Sequence, residues 1–371
     1  MNTPGQTATG PGLYIHVPVC ASQCAYCAFF SMAPARELVA AWLAGIRRDL
    51  SELPDGFAPA TVYIGGGTPT ALEEEELARL FELLAGHVEL GGAGEWSCEV
   101  NPGSLTSAKA ELLRAAGVNR LSIGAQSFHP DTLRLLGRGH HADDTRASVE
   151  LARQAGFRHI ALDLIYGVPG VTAAMFAADL EAALALEPEH ISCYCLEIEP
   201  GTPFSRRAAA GELAIDEAEQ RRQFELSRRV LTAAGLGHYE ISNFTLPGRE
   251  CRHNGLYWSG GEYLGIGPAA HSHWRGKRWG HTEELPEWSR AFEETLEPAA
   301  KARETLVMGL RRIAGWNRRE FRAATGFEIN DLRGPEIARL AADGLLVETQ
   351  ESLRLADDAL FISDTVFAEL V

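Results

Sequence analysis

An α/β fold organised around a parallel sheet, as an open sheet or a (β/α) barrel, with a small helical domain behind it, is what this 371-residue sequence predicts. Three observations carry the prediction. Short β-like runs alternate with helix-periodic ones, the runs are nearly continuously apolar, and the alternation stops after about residue 290. Apolar strands that alternate with helices bury both faces, which is the habit of parallel sheets covered by helices.

In chain order the β-like runs are "LYIHV", "TVYIGGG", "EWSCEVNPG", "NRLSIGAQSF", "RHIALDLIYGVPG" and "HISCYCLEIEPG". Each precedes a helical pattern: Leu77, Leu80, Phe81 and Leu84 repeat at i, i+3, i+4 and i+7, and Leu112, Leu113 and Ala116 share the next helical face. Residues 1–12 read as a disordered lead, 13–290 as the βα domain, and 291–371 as a helical domain with a β-wing at "LLVETQESLRL", a winged-helix-like pattern. The strand ends hold the chemistry-capable residues: Cys20 to Cys27, Gly65 to Pro69, Glu99 and Asn101, Gln126, and Asp163. In parallel α/β folds these ends form one rim, and sites are built there.

Composition narrows the function classes. A net charge of -16 and a pI near 5.2 have the wrong sign for a protein that neutralises phosphates, so nucleic acid is not expected as a partner. The apolar runs are broken well before a membrane-spanning length, and "MNTPGQTATGPG" lacks the basic and apolar regions of a signal peptide; the expected location is the cytoplasm. Seven cysteines, an odd number in a large chain, argue for metal or redox use over a disulfide framework.

Cys20, Cys24 and Cys27 form C-x3-C-x2-C on the loop after the first strand. A structural zinc site takes four ligands, usually in two close pairs, and no second pair lies nearby; His16 sits within the strand. A [4Fe–4S] cube is held by thiolates, and three of them leave one iron open to a non-protein ligand. Cys98, Cys193 and Cys195 read as small apolar packing groups, although the i, i+2 pair shares a strand face. The acids of "LEEEELARL" read as a solvated helix start.

C-x3-C-x-Y-C followed by "GGGTPT" resembles the signature of radical S-adenosylmethionine (SAM) enzymes. The resemblance implies a partial (β/α) TIM-like barrel whose open iron chelates the amino and carboxylate groups of SAM and whose cluster splits it reductively to methionine and a 5′-deoxyadenosyl radical. "YIHVPVC", "GGGTPT", "EVNPGSL", "NRLSIGAQSF", "LGRGH", "DLIYGVPG", "HISCYCLEIEPGTPF", "YEISNF", "CRHNGLYW" and "YLGIGPAAHS", in this order, are similar to the coproporphyrinogen III dehydrogenase-like family and most of all to its haem-chaperone branch. The dehydrogenases have a longer lead and a further cysteine two residues past the third; here 13 residues precede Tyr14, and that position is Phe29. The chaperones often carry Asp after the third cysteine, where this chain has Ala28.

By this resemblance Cys20, Cys24 and Cys27 hold the cluster, and Tyr14, Tyr26, Gly66, Gly67, Thr68, Glu99, Gln126, Arg138 and Asp163 bind SAM. His253, in the motif H-N-x-x-Y-W, is the expected haem ligand, with Tyr257 and Trp258 against the porphyrin; Cys251, His271 and His273 are competing ligands. Glycines permit close backbone approach, and carboxylates suit ribose hydroxyls and an amino group as arginine suits a carboxylate. Asp163 within "ALDLIYG" stands out, because a carboxylate in an apolar strand is costly unless paired. The implied role is binding haem and handing it to acceptors such as respiratory enzymes, with a homodimer and transient membrane contact through acceptors compatible with it. Oxidative decarboxylation of coproporphyrinogen III is the alternative, and a radical-SAM methyltransferase or haem-degrading relative the second.

Overall fold

The computed structural model describes residues 10–371, so most of the expected disordered lead lies outside the described residues. The chain runs β1 (Gly12–Val17), α1 (Arg36–Ser51), β2 (Thr61–Gly66), α2 (Glu74–His87), β3 (Glu95–Val100), α3 (Ser107–Ala116), β4 (Arg120–Gln126), α4 (Pro130–Leu136) and α5 (Ala142–Gln154). It continues with β5 (Ile160–Tyr166), α6 (Ala173–Leu184), β6 (His190–Cys195), α7 (Pro203–Ala209), α8 (Glu217–Ala233), β7 (Gly237–Glu240), β8 (Asn243–Thr245), α9 (Arg252–Trp258), β9 (Tyr263–Ile266), β10 (His271–Trp274), β11 (Lys277–His281) and β12 (Arg290–Thr295). The last part holds α10 (Pro298–Gly309), β13 (Trp316–Asn317), α11 (Arg318–Thr325), α12 (Ile329–Ala342), β14 (Leu346–Glu348), β15 (Ser352–Leu355) and α13 (Ser363–Leu370).

Among the described residues one sheet of 12 strands takes the order β12-β11-β10-β9-β1-β2-β3-β4-β5-β6-β8-β7. Strands β1 to β6 pair in parallel, and β9 joins β1 in parallel on the other side. This is the partial barrel, opened by antiparallel arms at both edges. The sheet runs to Thr295, past the boundary expected at 290, because β12 pairs with β11 and not with the helical domain. That domain carries the expected wing, a small sheet in the order β13-β15-β14.

Residues at alternate positions divide the sheet into two unlike faces. The outer set, including Leu13, Ile15, Val17, Val62, Ile64, Leu121, Ile123, Leu162 and Leu164, is fully buried against the helices. The inner set is polar: Tyr14 and His16, Thr61 and Tyr63, Glu95, Ser97 and Glu99, Arg120, Ser122 and Gln126, Asp163, then His190, Ser192 and Tyr194. Reading these strands as continuously apolar therefore missed a period-two polar stripe. Helix starts are fixed by side-chain caps: Thr106, Thr172, Thr202 and Asp216 each accept the backbone N–H three residues on.

Gln126 ends β4 with φ 63 after an irregular pairing with β5, a left-handed conformation rare for a side chain of its kind. The turn beyond it is held by Asp179, 1% exposed, whose carboxylate accepts the Ser127 hydroxyl at 2.7 Å and the Phe128 N–H at 2.6 Å. Asp179→Ala leaves both donors unpaired in the interior, and the expected loss is about 2–4 kcal/mol of unfolding free energy in urea titration.

Candidate functional site

The cysteine loop is clamped from four directions. Cys20 N–H donates to Met32 O and Met32 N–H to Pro18 O, which closes the loop on itself. Ala25 N–H donates to Leu136 O, and Phe204 N–H to Ala25 O, tying the loop to α4 and α7. Thr68 N–H donates to Val19 O at 2.6 Å, so the β2 rim braces its entry. All three thiols are free and half-buried. Burial pushes the Cys20 and Cys27 thiols up, and the neighbouring sulfurs push the same way.

Arg138 reaches the loop from the segment after α4. Its Nη1 donates to Cys24 Sγ at 3.4 Å and its Nη2 to Gly124 O at 2.8 Å and to the Asn101 side chain. A fixed guanidinium beside thiols favours their ionised form. Cys20 Sγ also lies 3.4 Å from Thr68 Oγ1. Among the described residues no three His, Cys, Asp or Glu side chains converge on a point where one ion could sit. Three thiols on one loop can hold three corners of a cube, whereas they leave a tetrahedral zinc one protein ligand short of four.

Glycines 66 and 67 are required where they stand. Gly66 has φ 106, and a Cβ there would meet the His16 ring at 2.5 Å. A Cβ on Gly67 would strike Val19 O at 2.6 Å and Val17 O at 2.7 Å. The Gly66 N–H donates to Glu99 Oε2 at 3.1 Å, and Tyr63 OH donates to Oε1 at 2.9 Å. Burial nevertheless pushes the Glu99 carboxyl up to about 7. Asp163 is likewise raised by burial, against the hydroxyls of Ser192 and Ser122, the latter at 3.1 Å. Tyr14 stacks on Tyr63 with centroids 6.3 Å apart, and Tyr194 on β6 is 41% exposed on the same inner face. The structure thus gathers Tyr14, Tyr26, Gly66, Gly67, Thr68, Glu99, Gln126, Arg138 and Asp163 at or just inside the rim that carries Cys20, Cys24 and Cys27. Tyr63, Asn101 and Tyr194 belong with them, and the alternating polar residues of β2 and β6 were the signal for two of these.

His253 lies elsewhere. It sits beside Thr61, the first residue of β2, while the cysteine loop adjoins the last; five residues of strand separate the two levels by about 16 Å. The ring is 1% exposed, Nδ1 is 2.8 Å from Thr61 Oγ1, and Nε2 is 2.8 Å from Tyr257 OH. Burial holds it neutral, with its pKa lowered to about 3. Both nitrogens are engaged, so the expected haem ligand presents no open coordination position in this arrangement. Glu95 explains the placement: its carboxylate accepts the N–H groups of Arg252 at 2.9 Å and His253 at 3.0 Å and seats α9 against the amino ends of the strands. Cys251, 1% exposed and 3.6 Å from Glu95, is part of that plug, and Arg311 stacks over Trp258 at 4.6 Å.

Known proteins place this arrangement. The profile of the Radical SAM superfamily matches residues 14–183 and that of the HemN C-terminal domain residues 296–362. The heme chaperone HemW of Bacillus subtilis is 33% identical over 368 residues, covering 95% of this chain and 97% of that protein. HemW of Escherichia coli is 33% identical over 366 residues, with 93% and 94% covered. HemW of Mycobacterium tuberculosis is 40% identical over 275 residues, with 72% and 70% covered. Coproporphyrinogen III oxidase (HemN) from Escherichia coli, a radical SAM enzyme, shares the fold with a TM-score of 0.83 at 22% identity, over 97% of this chain and 90% of that one. Superfamily membership implies a [4Fe–4S] cluster and SAM, and the thiols, Arg138 and the glycine cradle fit both.

One consequence concerns pH. With the Glu99 carboxyl at about 7 in the folded chain and near 4.5 when exposed, the native state holds the extra proton between those values, so this group's contribution to stability declines as pH rises through that window. Glu99→Gln is expected to flatten that part of the melting-temperature profile between pH 4.5 and 7, and an unchanged profile would refute the assignment. The likeness along nearly the full length of both chains establishes that this chain belongs to the HemW family within the radical SAM superfamily.

Proposed function

We propose that this chain is a haem chaperone: it binds a [4Fe–4S] cluster through Cys20, Cys24 and Cys27, SAM through the inner rim, and haem, which it hands to acceptor proteins such as respiratory enzymes. The observation that carries the reading is similarity to heme chaperones across 95% of the chain. When bound, the cluster supplies an electron to the SAM sulfonium. This chain's residues do the rest of the holding. Gly66 and Gly67 leave room for the backbone to approach a ligand, Glu99 and Asp163 offer acceptors to hydroxyl and amino groups, and Arg138 opposes the negative charge of the thiolates.

Phe29 supports the same reading. It stands where a further cysteine would mark the dehydrogenases, and it is 68% exposed beside the cluster loop. Among the described residues no helix is long and apolar enough to cross a membrane. The proposal has haem transfer take place in the cytoplasm, with membrane contact only through acceptors, and it accommodates a homodimer.

The test is anaerobic incubation of reconstituted protein with SAM, dithionite and coproporphyrinogen III, followed by mass analysis, with haem titration of the same sample. Haem binding without protoporphyrinogen is the expected result; formation of protoporphyrinogen would make the protein a biosynthetic dehydrogenase. Replacing Cys20, Cys24 and Cys27 together by Ala is expected to abolish iron incorporation and the visible absorbance of the reconstituted protein.

A further inference from the structure

Where β6 meets the antiparallel pair β7 and β8, the inner face of the sheet continues sideways. Asp163 is in register with Ser192, Ser192 with Asn243, and Asn243 with Glu240. Partners directly opposite point to the same face, so these four side chains form one row across four strands. Three strand spacings carry the row about 14 Å from Asp163. Tyr194, two residues beyond Ser192, stands on that face and is 41% exposed. Phe292, exposed to the same extent beside His271, lies on the open β10 to β12 arm, whereas Tyr194 stands inside the curve of the barrel.

The helical domain meets the end of this row. The segment after α10 runs along β7: Ile241 N–H donates to Arg311 O at 3.1 Å and Ile313 N–H to Tyr239 O at 3.1 Å. These bonds fix the Arg311 backbone, and its guanidinium lies over the Trp258 indole at 4.6 Å, which holds it in place. Glu240 is fully buried; one oxygen accepts the Ser242 N–H at 2.9 Å and the Asn243 amide, and the other stays 3.8 Å from Arg311 Nη2. None of the three guanidinium nitrogens has a hydrogen-bond acceptor among the described residues, and Trp258 Nε1 and Glu240 Oε2 are buried without partners. The Arg311 side chain is nevertheless 26% exposed. A held cation with an open edge, beside an uncovered aromatic ring, is a receptor for a carboxylate carried on a flat apolar body.

Haem is such a body, a macrocycle with two propionates. Resting on the haem-chaperone reading, we propose that Arg311 receives a propionate of haem, with the macrocycle against Tyr194, where the inner face of the barrel meets the helical domain. A guanidinium takes a carboxylate on two parallel bonds, so Arg311 selects which edge of the macrocycle enters. Trp258 closes the H-N-x-x-Y-W motif of α9, and Arg311 thereby brings the motif helix and the helical domain to one ligand.

The experiment is absorbance titration of full-length, reconstituted protein, in one mild detergent, with haem and with haem dimethyl ester, which keeps iron and ring but has no carboxylate. Wild type and Arg311→Gln are compared, with thermal melts of each. Wild type is expected to bind haem roughly tenfold or more tightly than the diester. Arg311→Gln is expected to melt earlier, because Glu240 loses its counter-charge. Below that transition it is expected to lose most of the preference for haem while keeping the wild-type affinity for the diester and the wild-type spectrum. Equal affinity of wild type for haem and diester would overturn the inference and leave the chaperone reading intact, and so would an equal loss of both ligands in Arg311→Gln. Absence of haem binding by wild type would overturn both.

Discussion

The parallel pairing of β1 with β2 on one side and β9 on the other is the interaction from which the rest of the molecule follows. It sets Val17 against Gly66, so the cysteine loop leaving β1 meets the glycine turn leaving β2. It also sets Tyr14 against both Tyr63 and Gly265, which makes one continuous inner face of the barrel strands and the β9 to β12 arm. Parallel strands give a sheet two chemically different ends. At the carboxyl end the loops bring thiols, a guanidinium and exposed backbone groups together. At the amino end Glu95 and Thr61 fasten α9 and close the barrel.

Much of the rim was legible because its residues end strands. Cys20 to Cys27, Gly66 to Thr68 and Glu99 stand at such ends, Asp163 lies at the middle of β5, and the turn from β-like run to helical pattern is readable from local periodicity. The antiparallel arms were not, since their strands are short and mostly lack an apolar period, and the pairings that attach them to the barrel, β6 with β8 and β1 with β9, join segments far apart in sequence. The inner stripe was half legible: Glu95, Ser97 and Glu99 alternate cleanly, but tryptophan, cysteine and valine between them dominate the impression of an apolar run.

His253 stands in a setting that its motif alone did not foretell. A motif of histidine, asparagine, tyrosine and tryptophan offers every group needed to grip a porphyrin. It offers the same groups for building a buried polar junction, where each donor must find an acceptor. In the fold Thr61, Tyr257 and Glu95 engage the His253 ring and backbone, and two of the three are distant in sequence. No local pattern could have supplied them.

Strand β12 is exposed along its whole length and ends the sheet. Lys277 and Arg290 converge on Glu293 while Arg278 holds Glu294, which places ionised groups on both sides of that border. Any strand added beyond it would have to strip water from these charges. The border is therefore guarded against self-propagating assembly, and the molecule can keep an aromatic and an imidazole uncovered close to it without becoming a seed for fibres.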